Sequence, residues 1–183
     1  MEKKCSAVII GVGPEQDLGA TLASYFSAED LHVFIAERSE DKLATRSRKI
    51  RQTGNSVTSV VADATVEHDV AHLFKMPQLD GNRIDIAAYN VDSNISAPLL
   101  ETETFTRLWR QNYLGAFFFG KEAVKAMKNN QQGTLFFTGA NGQEVMSQTI
   151  LRQKVRIACC SCTPVPKPIG RLINIIPAHG LMN

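Results

Sequence analysis

Gly11-Val12-Gly13-Pro14-Glu15-Gln16-Asp17-Leu18-Gly19 closes the apolar run Ala7 to Val12 and opens a segment in which Leu18, Leu22 and Phe26 repeat at helical spacing. In a strand, turn, helix sequence the three glycines have separate uses. Gly11 allows a tight turn, Gly13 lets backbone come close to a pyrophosphate, and Gly19 lets the helix pack closely on the strand. The helix N-terminus behind them offers unpaired N–H groups and the positive end of a dipole. The plainer alternative is a turn that only reverses the chain, with Asp17 as the helix cap. Glu15 and Asp17 also weigh against a tight phosphate site, because like charges at that range cost roughly 1 kcal/mol each in a wet loop.

Outward from this turn the same alternation continues. Short apolar runs rich in β-branched and aromatic residues recur at Ala7 to Val12, His32 to Ala36, Val57 to Ala62, Ile84 to Tyr89, Thr134 to Thr138 and Leu172 to Ile176. Each reads as a buried strand. Between the fourth and fifth, Phe105, Leu108, Trp109, Asn112 and Ala116 mark one face of a long helix running towards Met127. Strands alternating with helices predict an α/β fold: right-handed crossovers, a parallel sheet covered on both faces, and ligands beyond the carboxyl ends of the strands. The chain reads as a single domain, 1–183, whose pattern weakens after Gly142. The prolines at 164, 166 and 168 forbid a helix there, so no long helix fits between the fifth and sixth strands.

The 183 residues are 44% hydrophobic and 21% charged, enough apolar chain for one core. Lys and Arg number 20 against 18 Asp and Glu. With basic residues clustered only in the mixed stretch Arg46 to Arg51, charge does not draw the chain to nucleic acid. Apolar runs fall far short of the roughly 20 residues of a membrane helix, and the expected location is the cytoplasm. Cys5 stands alone, while Cys159, Cys160 and Cys162 crowd together near His179. That spacing matches no usual zinc pattern, so the expectation is reduced thiols and no metal.

Several residues together carry a family resemblance. The turn Gly11 to Gly19, the second-strand ending Ala36-Glu37-Arg38-Ser39, Asp63 after the third strand, Asn90 after the fourth, Asn112 in the long helix and the stretch Gly133 to Ala140 resemble the short-chain dehydrogenase/reductase family over roughly residues 6–142. Leu172 to Pro177 is similar to the family's sixth strand and the loop behind it. The resemblance implies a Rossmann-like, doubly wound sheet of about six strands in the order 3-2-1-4-5-6, with a possible sixth strand at 171–177. It implies a coenzyme, NADP in preference to NAD. Gly11, Gly13 and Leu18 would line the pyrophosphate with Gly19 packing behind, Asp63 and Ala64 the adenine, and Asn90 the nicotinamide-side ribose. Coenzyme choice falls to Glu37 and Arg38: a carboxylate there accepts from ribose hydroxyls and repels a 2′-phosphate, whereas arginine binds it.

The catalytic pattern departs from the family's. That pattern places a proton-transferring Tyr four residues before a Lys, one helical turn apart, with a Ser to orient the carbonyl. Here Tyr25, Tyr89 and Tyr113 are followed four residues on by Glu29, Ser93 and Phe117. Counting without gaps from the fifth strand puts Gly139 at the serine position, and Arg152 and Arg156 at those of tyrosine and lysine. Arginine stays protonated and cannot act as the base. Asn112 matches the helix asparagine that supports a proton relay in the family, which makes it the catalytic candidate the resemblance implies; with no tyrosine to relay to, the alternative is a structural role, bonding backbone in the sheet. The function implied is that of an oxidoreductase acting on a carbonyl or alcohol, the alternative a protein that binds the coenzyme without turnover. The substrate is a small molecule, and a second copy of the chain is expected to cover the open C-terminal side.

Overall fold

The computed structural model describes residues 4–13, 18–91, 101–128 and 132–138. Strands β1 (Cys5–Ile10), β2 (His32–Glu37), β3 (Val57–Val61), β4 (Arg83–Tyr89) and β5 (Thr134–Phe137) form one sheet in the order β3-β2-β1-β4-β5. Every pairing is parallel. The expected sixth strand lies outside the described residues. Helices α1 (Leu18–Ala28), α2 (Glu40–Gln52) and α3 (Glu67–Leu79) make the first crossovers. From β4 the chain goes through α4 (Thr102–Trp109), a π turn (Arg110–Leu114) and α5 (Gly115–Lys128) to β5.

Side-chain alternation along the strands divides the core in two. Ala7 and Ile9 of β1 and Val33 and Ile35 of β2 face Leu22, Phe26, Leu43 and Ile50 of α1 and α2. Val8, Ile10, Phe34 and Ala36 face the other way, onto Leu73, Phe74, Phe119 and Ala123 of α3 and α5. Both faces of the inner strands are therefore apolar, which is why these runs read as continuous rather than alternating. One slip in register, between Ser6 and Ala7, leaves Asp85 of β4 opposite no residue of β1. The Asp85 carboxylate accepts from Arg83 Nε at 2.9 Å. The phenyl ring of Phe119 meets those of Phe74 and Tyr89, centroids 4.9 and 5.5 Å apart. Lys121 of α5 pairs at the surface with Glu67 of α3. Among the described residues no helix is long and apolar enough to cross a membrane.

The long helix corrects one expectation. It is interrupted, and of the face predicted from Phe105, Leu108, Trp109, Asn112 and Ala116 only Ala116, beyond the interruption, is fully buried. Phe105 is 61% and Trp109 45% exposed, while Thr104, Gln111, Gly115, Ala116 and Phe119 point inward. The cause is the π turn: Gly115 N–H bonds to the carbonyl of Arg110, five residues back, so one extra residue enters the helix and the inward face moves from position 112 to 111. Tyr89 fits the widened turn, its hydroxyl donating to the Gln111 carbonyl. A Cβ at Gly115 would fall on that hydroxyl and lie 2.9 Å from the Ala64 carbonyl oxygen, so only glycine lets the helix come this close to the strand ends.

Candidate functional site

The strands end together along one edge of the sheet, and the order of the chain changes direction there. From β1 it steps outward to β2 and β3, then crosses back to β4 on the other side of β1. The gap at such a crossover is where open α/β sheets hold ligands. Gly11 begins the turn into this gap with φ +88°. Its N–H bonds the Ala36 carbonyl at 3.0 Å. A Cβ there would stand 2.6 Å from the backbone carbon and oxygen of Asn90, and one at Gly19 would fall on the Gly11 carbonyl oxygen. The floor of the turn is thus built of bare backbone from three elements.

The other expected residues border the same edge. Leu18 opens α1 and packs half-buried against the core. Gly13 is half-buried, and its carbonyl accepts from Arg46 of α2 at 2.8 Å. Glu37 ends β2 half-buried, and Arg38 beside it is exposed. Asp63 follows β3, with Oδ1 accepting from the N–H and hydroxyl of Thr65 at 2.7 and 2.8 Å, and its own N–H bonded to the Asp69 carboxylate at 3.0 Å. Ala64 is buried.

Asn90 is committed as a tie. Its Nδ2 donates to the Gly11 carbonyl at 2.8 Å and its Oδ1 accepts from the Thr138 hydroxyl at 2.6 Å, joining the ends of β1, β4 and β5. Asn112 lies half-buried in the π turn, one residue from the inward-facing Gln111. Burial, and behind it the charge of Asp63, pushes the Tyr89 hydroxyl far above the usual tyrosine range, so Tyr89 holds the proton that it donates to the Gln111 carbonyl. Gly139, Arg152, Arg156, His179 and the three clustered cysteines lie outside the described residues.

Residues the sequence reading did not single out complete this edge. Arg46 is one; its spacing of three from the buried Leu43 is the signal that turns it inward. A cleft of about 440 Å³ is lined by Arg38 and Thr65 on one side and by Arg107, Arg110 and Gln111 on the other. It lies directly after the ends of β2 and β3.

A parallel sheet with this strand order, helices on both faces and a glycine turn at the crossover defines a doubly wound α/β protein of the Rossmann type. The sequence model described as short chain dehydrogenase matches residues 7–164, and the chain belongs to that family. It is 28% identical over 134 residues to an uncharacterized oxidoreductase of Thermotoga maritima, covering 70% of this chain and 50% of that protein. A short-chain dehydrogenase from Rhodopseudomonas palustris superposes with a TM-score of 0.69 at 28% identity, over 76% of this chain and 65% of that one. A gluconate 5-dehydrogenase from Burkholderia cenocepacia, solved with NADP and tartrate, shares the fold at 23% identity, with a TM-score of 0.69 over 83% of this chain and 59% of that one. The chain spans about half the length of the curated relatives it matches.

Proposed function

We propose that this chain binds a nicotinamide dinucleotide, NADP in preference to NAD, as an oxidoreductase of the short-chain type acting on a carbonyl or alcohol. The observation that carries the reading is the bare-backbone turn at the crossover, where neither Gly11 nor Gly19 has room for a side chain. Gly11 makes the tight turn and Gly19 the close helix-to-strand packing that a dinucleotide-binding turn requires, with Gly13 between them at the position whose backbone would approach the pyrophosphate. Gly11, Gly13 and Leu18 would hold the diphosphate, Asp63 and Ala64 the adenine, and Glu37 and Arg38 the adenosine ribose. The coenzyme, when bound, would supply hydride to a carbonyl or take it from an alcohol. Asn90 acts behind the site by holding the turn and two strand ends in register. The preference for NADP rests on Arg38, whose guanidinium suits a 2′-phosphate, and is in keeping with the NADP found in the Burkholderia cenocepacia structure.

A second reading, binding without turnover, is favoured by one sequence fact: no tyrosine in the chain precedes a lysine by four residues. Titration with NADPH and NADH, followed by tryptophan or coenzyme fluorescence, tests the binding common to both readings. Saturable binding that is lost in Gly13→Trp is the expected result. Absence of binding to either coenzyme at millimolar concentration overturns both. Arg38→Ala is expected to weaken NADPH more than NADH by roughly 1–3 kcal/mol, and an equal effect on the two removes the phosphate contact from Arg38.

A further inference from the structure

We propose that Arg46 of α2 is a positioning residue for the coenzyme's diphosphate, which it serves by holding the Gly13 carbonyl away from the anion and setting a permanent positive charge behind the glycine turn. The inference rests on the dinucleotide reading above and deepens it with a residue from outside the turn. The composition of the turn is what makes such a residue necessary. Backbone receives phosphate through its N–H groups, and the peptide unit between Gly13 and Pro14 has none, because proline lacks that hydrogen. This unit offers only a carbonyl oxygen, whose partial negative charge repels a phosphate. Residues 11–19 hold two acids, Glu15 and Asp17, and no Lys or Arg. The helix that follows, α1, has no charged residue at all. Positive charge has to reach the turn from another element.

Arg46 brings it. Its Nη2 donates to the Gly13 carbonyl oxygen at 2.8 Å, across 33 positions of the chain, a distance usual for a hydrogen bond from a charged donor. Packing fixes where this side chain stands. Leu43 and Ile50 are buried against the same core as Leu22 and Phe26 of α1, and position 46 lies one helical turn from each of them. Arg46 is accordingly half-buried, whereas Thr45 and Arg48 on either side of that face are exposed. Among the described residues no carboxylate pairs with Arg46, so its charge is not cancelled where it stands. A guanidinium stays protonated at any relevant pH, and partial burial weakens the screening of its charge by salt. Two effects on a diphosphate at the turn follow. The oxygen of the one peptide unit without a donor is engaged from the α2 side, and the fixed charge offsets the repulsion contributed by Glu15 and Asp17.

The test measures affinity for NADPH, NADH and ADP by calorimetry, and for adenosine by its displacement of ADP, in the unmutated chain and in Arg46→Ala, Arg46→Lys and Arg48→Ala. Arg48 is exposed on the same helix and controls for the loss of one positive charge; circular dichroism melts verify that the variants fold. Arg46→Ala is expected to weaken NADPH, NADH and ADP alike by about tenfold, the scale of a charged hydrogen bond, and adenosine, which has no phosphate, by less than about twofold. Arg46→Lys restores part of the loss, and Arg48→Ala leaves all four affinities within about twofold of the unmutated chain, its charge being screened by solvent. A loss as large for adenosine as for ADP marks a merely structural role and overturns the proposal. Unchanged binding in Arg46→Ala, or an equal loss in Arg48→Ala, overturns it too, and the dinucleotide reading survives all three results. A loss confined to NADPH moves Arg46 to the 2′-phosphate and likewise overturns it. Arg46-dependent binding of ADP by a chain that binds neither coenzyme upholds the role of Arg46 and overturns the dinucleotide reading. Binding of none of the four ligands overturns both.

Discussion

Gly11 carries two constraints at once: a left-handed backbone and the carbonyl of Asn90 against the place a side chain would occupy. Gly11→Ala is therefore expected to destabilise by at least the roughly 1–2 kcal/mol of a non-glycine residue in that conformation, with the clash in addition. In a protein of this size each kcal/mol lowers Tm by about 2–4 °C, and an unchanged melt would remove the account given of the turn. His32 gives a pH dependence. It sits half-buried at the start of β2, with Nε2 2.8 Å from the Thr58 hydroxyl and its ring 4.7 Å from that of Phe34. Burial, and then the charge of Lys4, hold its pKa below the ordinary 6.5, against a smaller opposing pull from Asp80. The folded chain resists a proton that the unfolded chain accepts, so this group's contribution is complete well above pH 6.5 and declines as pH falls through that value. Urea midpoints at pH 8 and pH 5.5 should converge when His32 is replaced by Asn; an undiminished gap would assign the pH dependence to other groups.

The interrupted helix shows how an element's register is decided. Three side groups fit one another there: the Tyr89 hydroxyl, the bare Cα of Gly115 and the Gln111 carbonyl. Tyr89→Phe leaves that carbonyl buried without its donor and is expected to cost about 1–3 kcal/mol, read by chemical denaturation. Phe119 is wholly buried between Phe74 and Tyr89, where α5 meets α3 and the sheet. Phe119→Ala should cost about 3–5 kcal/mol, and a loss under 1 kcal/mol would mean that this packing is not what holds the helix. The strand runs were readable to within a residue or two because both faces of β1 and β2 are apolar. The helix face was not, because a single inserted residue leaves no mark in composition. Phe105 and Trp109 have the spacing of a buried stripe and are nevertheless exposed.

For the molecule as a whole, the reading of binding without turnover, which rests on there being no tyrosine four residues before a lysine in this sequence, carries a kinetic expectation. General acid–base help is worth about 10² to 10⁴ in rate, roughly 3–5 kcal/mol of barrier. We expect this chain to bind NADPH yet to reduce a broad panel of ketones and aldehydes slowly or not at all, as followed by coenzyme absorbance. Turnover near the typical enzyme value of about 10 per second that is lost in Gly13→Trp would show that another group delivers the proton.

Local order was determined by the sequence alone: which segments are strands, that they alternate with helices, and that the first strand runs into a glycine turn. These follow from side-chain periodicity and backbone freedom, which belong to neighbours in the chain. The tertiary structure decided what those residues are joined to. Asn90 stands opposite Gly11 from 79 positions away, Arg46 reaches the Gly13 carbonyl across 33, and Arg107 and Arg110 come to face Arg38 across one cleft. No local pattern encodes such meetings, because they arise only when parallel crossovers bring successive strand ends to one edge of the sheet.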